Sequence, residues 1–171
     1  MIEIHKTSGG TLTYQDSRHR YEYVEDLGHG LEPELHEDIA IARCQQALGD
    51  WFKANIAEVL HVERRLYSPK WKIAGTCDMV AKLRSGQVHV LDWKGVTDLK
   101  ASLKAGHVGQ LAAYRAMLQE VGEEIDGTTL VRFSRKTGEV DPVTFTHHED
   151  DLAAFEAALH LARYKPKATV F

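Results

Sequence analysis

Two acidic residues and a lysine stand at a spacing that suits metal-dependent cleavage of a phosphodiester bond. Asp92 and Lys94 follow the apolar run 88–91, and Asp78 lies upstream in the segment 74–80. Side chains alternate along a strand, so Asp92 and Lys94 project to the same side of it. Carboxylates bind hard ions such as Mg²⁺ and Mn²⁺, and a lysine can orient water and offset charge developing on a phosphate. The pattern predicts metal ligands at Asp78 and Asp92 and a catalytic role for Lys94.

A hairpin is the element that would bring the two acids together. The segments 72–83 and 88–94 predict neighbouring strands, and a Ser-Gly-Gln turn joins them. Positions on paired strands face each other across a hairpin, which places Asp78 within reach of Asp92. The backbone carbonyl of Trp93, between the two motif residues, is predicted as a third metal ligand.

A helix after the lysine carries two polar side chains that can complete the site. It is predicted from about Leu99 or Ala101 to Val121. Gln110 and Tyr114 are four positions apart, so they lie on one face of this helix. An acid-x-lysine pair alone occurs often by chance. Combined with an acid in the preceding strand and a Gln-x-x-x-Tyr helix, the pattern is far more specific.

The remaining segments predict the elements around this hairpin. They are a short β-hairpin over 11–23, a helical region over about 34–59 that Gly49-Asp50 divides, strands over 61–67, 128–134 and 140–146, and an amphipathic helix over 149–164. This order indicates an α/β fold, in which helices flank a mixed central β-sheet within one domain.

The composition fits a globular protein and excludes several classes of site. The chain has 171 residues, of which 43% are hydrophobic and 27% charged. It has no apolar run near the roughly 20 residues that span a bilayer, and residues 1–6 lack the order of a signal peptide. We therefore expect no membrane association and a cytoplasmic location. Cys44 and Cys77 are too few for a structural zinc or iron–sulfur site, and we expect both to be buried.

The charge distribution favours a phosphate-binding surface despite an acidic total. The net charge is −4, but residues 64–104 hold nine Lys/Arg and three Asp/Glu, a local excess of +6. This basic block contains the acid-x-lysine motif, and a bound cation would make it more positive. DNA is therefore the predicted partner.

The motifs resemble the PD-(D/E)xK nuclease superfamily, in its RecB-like branch, which includes many phage-encoded exonucleases. The resemblance covers about residues 34–165 and depends on three segments: Gly75-Thr76-Cys77-Asp78, Leu91-Asp92-Trp93-Lys94-Gly95 and Gln110-Leu111-Ala112-Ala113-Tyr114. It implies a restriction-endonuclease-like core over 34–165, with residues 1–30 as an N-terminal hairpin extension. It also implies Mg²⁺- or Mn²⁺-dependent cleavage of DNA.

The resemblance further implies roles for particular residues. Gln110, as a catalytic residue, and Tyr114, as a substrate-binding one, would shape the site or touch the DNA. The alternatives are an ordinary amide on the helix face for Gln110 and packing against the sheet for Tyr114. RecB-like proteins often carry an additional histidine ligand on an early helix, and His36 is the best match, with His29 and Glu37 as alternatives. The glycine that usually precedes this histidine is missing. Many members also have Thr or Ser at the position of Gly95.

Several residues near the motif have two open interpretations. Arg64, Arg65 and Lys72 are predicted to contact the DNA backbone, although each can equally be a solvated charge. Glu63 can be a further metal ligand or an ion-pair partner of a neighbouring arginine. For Trp71 we favour packing within the hairpin over stacking on an unpaired base.

The leading hypothesis is a metal-dependent DNA nuclease, most simply an exonuclease of phage or prophage recombination or repair. The alternative is a catalytically inactive protein that keeps the nuclease fold and binds nucleic acid or another protein. A small-molecule enzyme is a third hypothesis, but it would not need the basic block. The pattern leaves open exo or endo mode, strand polarity, single- or double-strand preference, a homo-oligomer and a recombination partner protein.

Overall fold

A mixed sheet of five strands forms the centre of the part of the chain that the computed structural model describes, residues 24, 26–31 and 34–165. In chain order the elements are α1 (Ile39–Asn55), β1 (Ile56–Ser68), β2 (Ile73–Leu83), β3 (Val88–Val96), α2 (Ala105–Glu120), β4 (Gly127–Ser134), β5 (Val140–Phe145) and α3 (His148–Arg163).

The strands lie in the order β1-β2-β3-β4-β5. β1, β2 and β3 are antiparallel neighbours, β3 and β4 are parallel, and β4 and β5 are antiparallel. Parallel neighbours need a crossover, and α2 supplies it between β3 and β4. The predicted mixed sheet flanked by helices is therefore confirmed.

Each face of the sheet has its own hydrophobic core. On one face, Leu48 and Phe52 of α1 pack with Leu91 and Trp93 of β3. On the other face, the buried side chains of α2 pack with Val80, Val90 and Leu130. Both cysteines are buried free thiols, as expected from the sequence. None of the helices in the described residues has the length and apolarity to cross a bilayer.

Four predicted boundaries were wrong. The first helix begins at Ile39, after its N-cap Asp38, and not near residue 34. The helical region does not divide at Gly49-Asp50, because Gly49 is buried within α1 and Asp50 accepts a hydrogen bond from Gln46 one turn earlier. Residues 56–60 are strand rather than helix, and register shifts in this part of β1 break the alternation that would have revealed a strand. α2 begins at Ala105, because the loop before it is held in other hydrogen bonds.

The hairpin predicted over 11–23 lies outside the described residues. The division into an extension over 1–30 and a core over 34–165 therefore stays a prediction.

A hydrogen bond, a ring contact and an ion pair connect the β1–β2 turn to α3, the last helix, in which no side chain is fully buried. The Trp71 indole donates to Glu156 Oε1 at 3.0 Å and packs edge-on against Phe155. Lys70 also binds Glu156 at 3.1 Å. Trp71 is 8% exposed, which agrees with the packing role favoured from the sequence.

We expect Asp38→Ala to destabilise the protein through the start of α1. Asp38 is the N-cap residue, and its Oδ1 accepts from the amides of Ala40 and Ile41 at 2.8 and 3.2 Å. Loss of such a cap costs about 1 kcal/mol, which corresponds to a Tm lower by roughly 2–4 °C. Thermal unfolding monitored by circular dichroism measures the change. Asp38→Ser keeps a capping oxygen and should stay near the wild-type Tm, and an equal loss in both variants would contradict this role.

Candidate active site

The end of the β2–β3 ladder brings Asp78 and Asp92 together. The last paired residues are Met79 and Leu91, and each is the sequence neighbour of one of the two acids. Beyond this pair, the backbone amide of Trp93 donates to Asp78 Oδ2 at 3.0 Å. The Asp78 side chain therefore takes the place of a ladder partner, which fixes its carboxylate against β3.

Asp92 and Lys94 form a largely buried ion pair on β3. Asp92 is only 1% exposed. Lys94 Nζ donates to Asp92 Oδ1 at 3.0 Å and lies 2.7 Å from Oδ2. That second contact is an ion pair without hydrogen-bond geometry, so Oδ2 has no hydrogen-bond donor among the described residues. A buried carboxylate oxygen that has a single ammonium group beside it keeps lone pairs that a divalent cation can use.

Burial makes the charged form of both acids unfavourable, and the charge of Asp92 adds to this effect at Asp78. Burial first, and then the charge of Asp92, raise the pKa of Asp78 to about 7. Burial also raises the pKa of Asp92, although Lys94 opposes this change. The two carboxyl groups are near enough to hydrogen-bond to each other when one is protonated. Such perturbed, interacting carboxyl groups are typical of functional sites.

Glu63 of β1 lies on the other side of Asp78. It falls between the pairs Val62–Met79 and Arg64–Cys77, and its charge contributes to the raised pKa of Asp78. Its φ of 50° is unusual for a residue other than glycine, and such conformations cluster at functional sites. Glu63 is exposed, and both interpretations left open by the sequence stay open.

Gln110 and Tyr114 of α2 are joined to each other and face the acids. Gln110 Nε2 donates to the Tyr114 hydroxyl at 3.0 Å. Burial raises the pKa of Tyr114, and the charges of Asp78 and Asp92 add to this effect. A Cβ at Gly75 would lie 2.7 Å from the Tyr114 ring. Glycine at this position therefore lets the ring lie directly against β2.

His107 belongs to the same group of residues but was not predicted. Burial lowers its pKa, and the charge of Lys94 lowers it further while that of Asp92 acts in the opposite direction. His107 precedes Gln110 by three positions, so both lie on one face of α2. The three-residue spacing from Gln110 was the sequence signal that could have placed His107 at the site.

A family model of the PD-(D/E)XK nuclease superfamily matches residues 13–167. The chain belongs to this superfamily. Among solved structures, a protein from Eubacterium rectale named as a candidate exonuclease has a similar fold, with a TM-score of 0.54 and 13% identity. The match covers 94% of this chain and 65% of that chain, so this chain spans less than two thirds of that protein. The structure of SSO0001 has a TM-score of 0.43 and 16% identity, over 89% of this chain and 72% of that chain. No curated protein matches the sequence.

The basic residues predicted to bind DNA differ in their surroundings. The Arg64 guanidinium lies 2.6 Å from Glu123 Oε1 and also contacts the His61 ring, so an acidic partner already engages it. Arg65 and Lys72 are exposed. Lys72 has a φ of 51°, and its carbonyl accepts from Arg163 of α3. The DNA contacts of all three stay predictions.

The other two predicted metal ligands also stay predictions. His36 precedes α1, where its Nδ1 accepts from the Asp38 amide at 3.0 Å. The Trp93 indole packs edge-on against Trp51 on the α1 side of the sheet, and the predicted ligand is its backbone carbonyl. Within residues 24, 26–31 and 34–165, no group of three His, Cys, Asp or Glu side chains forms a ready metal centre.

The residues present nevertheless fit a divalent cation of the kind this superfamily generally uses. Mg²⁺ keeps several waters and is usually bound by one or two carboxylates together with a substrate phosphate. Asp78 and Asp92 supply two such carboxylates, and Asp92 Oδ2, which lies beside Lys94 but accepts no hydrogen bond from the described residues, supplies a buried oxygen. A cluster of three protein side chains is therefore not required.

Proposed function

We propose that the chain is a Mg²⁺- or Mn²⁺-dependent deoxyribonuclease, and that it acts as an exonuclease of phage or prophage recombination or repair. The pair Asp78 and Asp92, in which Asp92 is buried and Asp78 is half-buried, carries the proposal together with Lys94. Lys94 can offset the charge of one carboxylate, so a second charged carboxylate in this site is costly unless it serves a metal. The superfamily supplies the reaction class, and the resemblance to RecB-like motifs favours exonuclease over endonuclease.

A bound divalent ion would polarise the scissile phosphate and make a water molecule a stronger nucleophile. Asp78 and Asp92 would hold that ion, with the Trp93 carbonyl, His36 and Glu63 as further proposed ligands. Lys94 keeps a positive charge where negative charge grows on the phosphate, and the ion pair with Asp92 fixes its position. Its ammonium can also orient the attacking water.

The helix α2 closes the site on the side opposite the sheet. The hydrogen bond between Gln110 and Tyr114 fixes both side chains near the acids, so they can position the DNA strand. Arg65 and Lys72, which are exposed, are proposed to contact the phosphate backbone further along. A homo-oligomer and a recombination partner stay predictions from the sequence.

End-labelled linear DNA and closed circular DNA provide the direct test. We expect the purified protein to degrade linear DNA in Mg²⁺ or Mn²⁺ and to leave circles intact. In EDTA we expect it to cleave neither substrate. The labelled products, resolved on denaturing gels, also give strand polarity. Cleavage of circles would change the assignment to an endonuclease.

A matched pair of lysine variants guards this test against contaminating nucleases. Lys94→Ala should lose cleavage, whereas Lys82→Ala, an exposed lysine of the neighbouring strand β2, should retain it. Folded protein that binds DNA without cleaving it in any metal would contradict the proposal. It would instead support the alternative of an inactive nuclease-fold protein that binds nucleic acid.

A further inference from the structure

An apolar groove lies beside the candidate active site, between α2, α3 and the start of β2. Its volume is about 740 Å³, within the range of roughly 300–1,000 Å³ typical of ligand pockets. Most of its walls are small or apolar side chains, including Ile73, Val108, Ala113, Met117 and Phe155. The polar side chains that line it are Gln110, Tyr114 and Asp151.

The groove is continuous with the site that holds the acids. Gln110 and Tyr114 line the groove, and the same Tyr114 hydroxyl is near enough to Asp78 and Asp92 for their charges to raise its pKa. The pair therefore forms the boundary between an apolar compartment and a charged one. A ligand with its phosphate at the acids would place the adjoining part of the molecule at this boundary.

The charges along the groove decide which part of a nucleotide fits. Among the described residues, neither lysine nor arginine lines it, and the one carboxylate that does is that of Asp151. A phosphate would find no cation there. A nucleobase has apolar faces that suit the alkyl and aromatic walls. The N–H groups at its edge can donate hydrogen bonds to the Asp151 carboxylate and to the side-chain carbonyl of Gln110.

We infer that this groove binds an unpaired nucleobase of the strand whose phosphate lies at Asp78 and Asp92. This inference rests on the proposed function and specifies its substrate as single-stranded DNA or a frayed duplex end. A paired base cannot enter, because it must first leave the stack and its partner. The half-buried ring of Phe155 supplies a stacking surface that accepts any base.

Gly106 offers a way to fill the groove without disturbing the fold. It lines the groove in the first turn of α2, and a Cβ built on it meets nothing within 4 Å. Gly106→Leu therefore places a side chain in open space and also favours the helix, because glycine is a poor helix former. Gln119→Leu adds the same side chain at the exposed far end of α2 and serves as the matched control.

The test compares intact strands with strands that lack a single base. Short fluorescent single strands carry one abasic nucleotide at successive positions, and their binding is measured by anisotropy in Mg²⁺. Every protein in this series carries Lys94→Ala so that the strands remain uncut. We expect one position at which loss of the base weakens binding by about tenfold. Gly106→Leu should weaken binding of the intact strand by a similar factor and remove the effect of that abasic position.

The outcomes separate this inference from the proposed function. Equal binding of intact and abasic strands, or wild-type binding by Gly106→Leu, would overturn the base site even if the wild-type protein cleaves DNA. The same discrimination in a protein that cleaves no DNA would contradict the nuclease and leave the base site supported. Gln119→Leu should match the parent protein on every strand, and Gly106→Ala should have an effect smaller than that of Gly106→Leu.

Discussion

Replacing Asp92 with asparagine should reduce metal-dependent cleavage by about 10³-fold or more. The substitution keeps the size of the side chain but removes the charge that binds both Lys94 and the proposed cation. Cation stabilisation of the transition state is worth several kcal/mol, and each 1.36 kcal/mol is tenfold in rate. Single-turnover rates on end-labelled single strands measure the loss. Asp92 is buried, so a water molecule has little access to take the place of the carboxylate as a ligand.

The comparison with two other variants makes the assignment specific. Lys94→Ala should cost about 10²–10³-fold, as for other groups that stabilise developing charge, and higher metal concentration should not restore the rate. Asp50→Asn changes an exposed carboxylate of α1 and should have wild-type activity. Asp92→Asn with a rate within tenfold of wild type would show that another group holds the ion.

The sequence predicted the hairpin that carries Asp78 and Asp92 well because its signals are local. The segment 88–94 is apolar up to the acid, and a Ser-Gly-Gln turn marks where the chain reverses. By contrast, residues 56–60 of β1 have apolar positions spaced as in a helix. Register shifts interrupt the two-residue alternation in this part of the strand. They become visible only in its pairing with β2.

The site was predicted in its charges but not in its contacts. Asp78, Asp92 and Lys94 are identifiable from residue type and spacing. The hydrogen bond from the Trp93 amide to Asp78 cannot be identified in this way, because this contact depends on where the β2–β3 ladder ends. Glu63 is similar, since its place beside Asp78 follows from strand register and a positive φ.

The basic block shows the limit of arguments from charge alone. Arg64 belongs to the block, but Glu123, which follows α2, engages it in an ion pair. Sequence distance hides such a partner, because the two residues meet only once α2 has crossed over the sheet. The groove beside the active site is hidden in the same way, as its walls come from α2, α3 and β2.

The second prediction with a large effect concerns the stability of the metal-free protein. Asp78 has a pKa of about 7 in the folded protein, against an ordinary value of 3.8. The folded state therefore binds this proton more tightly than the unfolded state between these pH values. Stability contributed by the protonated group is complete below about pH 4 and is lost as pH rises through 7. The loss is on the order of 4 kcal/mol at 1.36 kcal/mol per unit.

We expect Asp78→Asn to be more stable than wild type at pH 8 in EDTA, with a Tm higher by roughly 10 °C. Asparagine keeps an oxygen that can accept from the Trp93 amide but has no charge to repel Asp92. The difference should vanish near pH 4, where both side chains are neutral. Asp98→Asn, an exposed acid after β3, should follow the wild-type profile. Identical pH profiles for wild type and Asp78→Asn would contradict the raised pKa.

Metal should narrow the difference in stability between wild type and Asp78→Asn at pH 8, which separates a metal site from a merely strained one. A ligand that binds only the folded state at about 100 times its Kd stabilises it by about 2.7 kcal/mol, or roughly 5–10 °C in Tm. Wild type should gain this increment in Mg²⁺ or Mn²⁺, whereas Asp78→Asn should gain little. If both proteins gain equally, the ion binds elsewhere. If neither gains, the repulsion between Asp78 and Asp92 serves no cation, and the carboxylate pair ceases to support a nuclease.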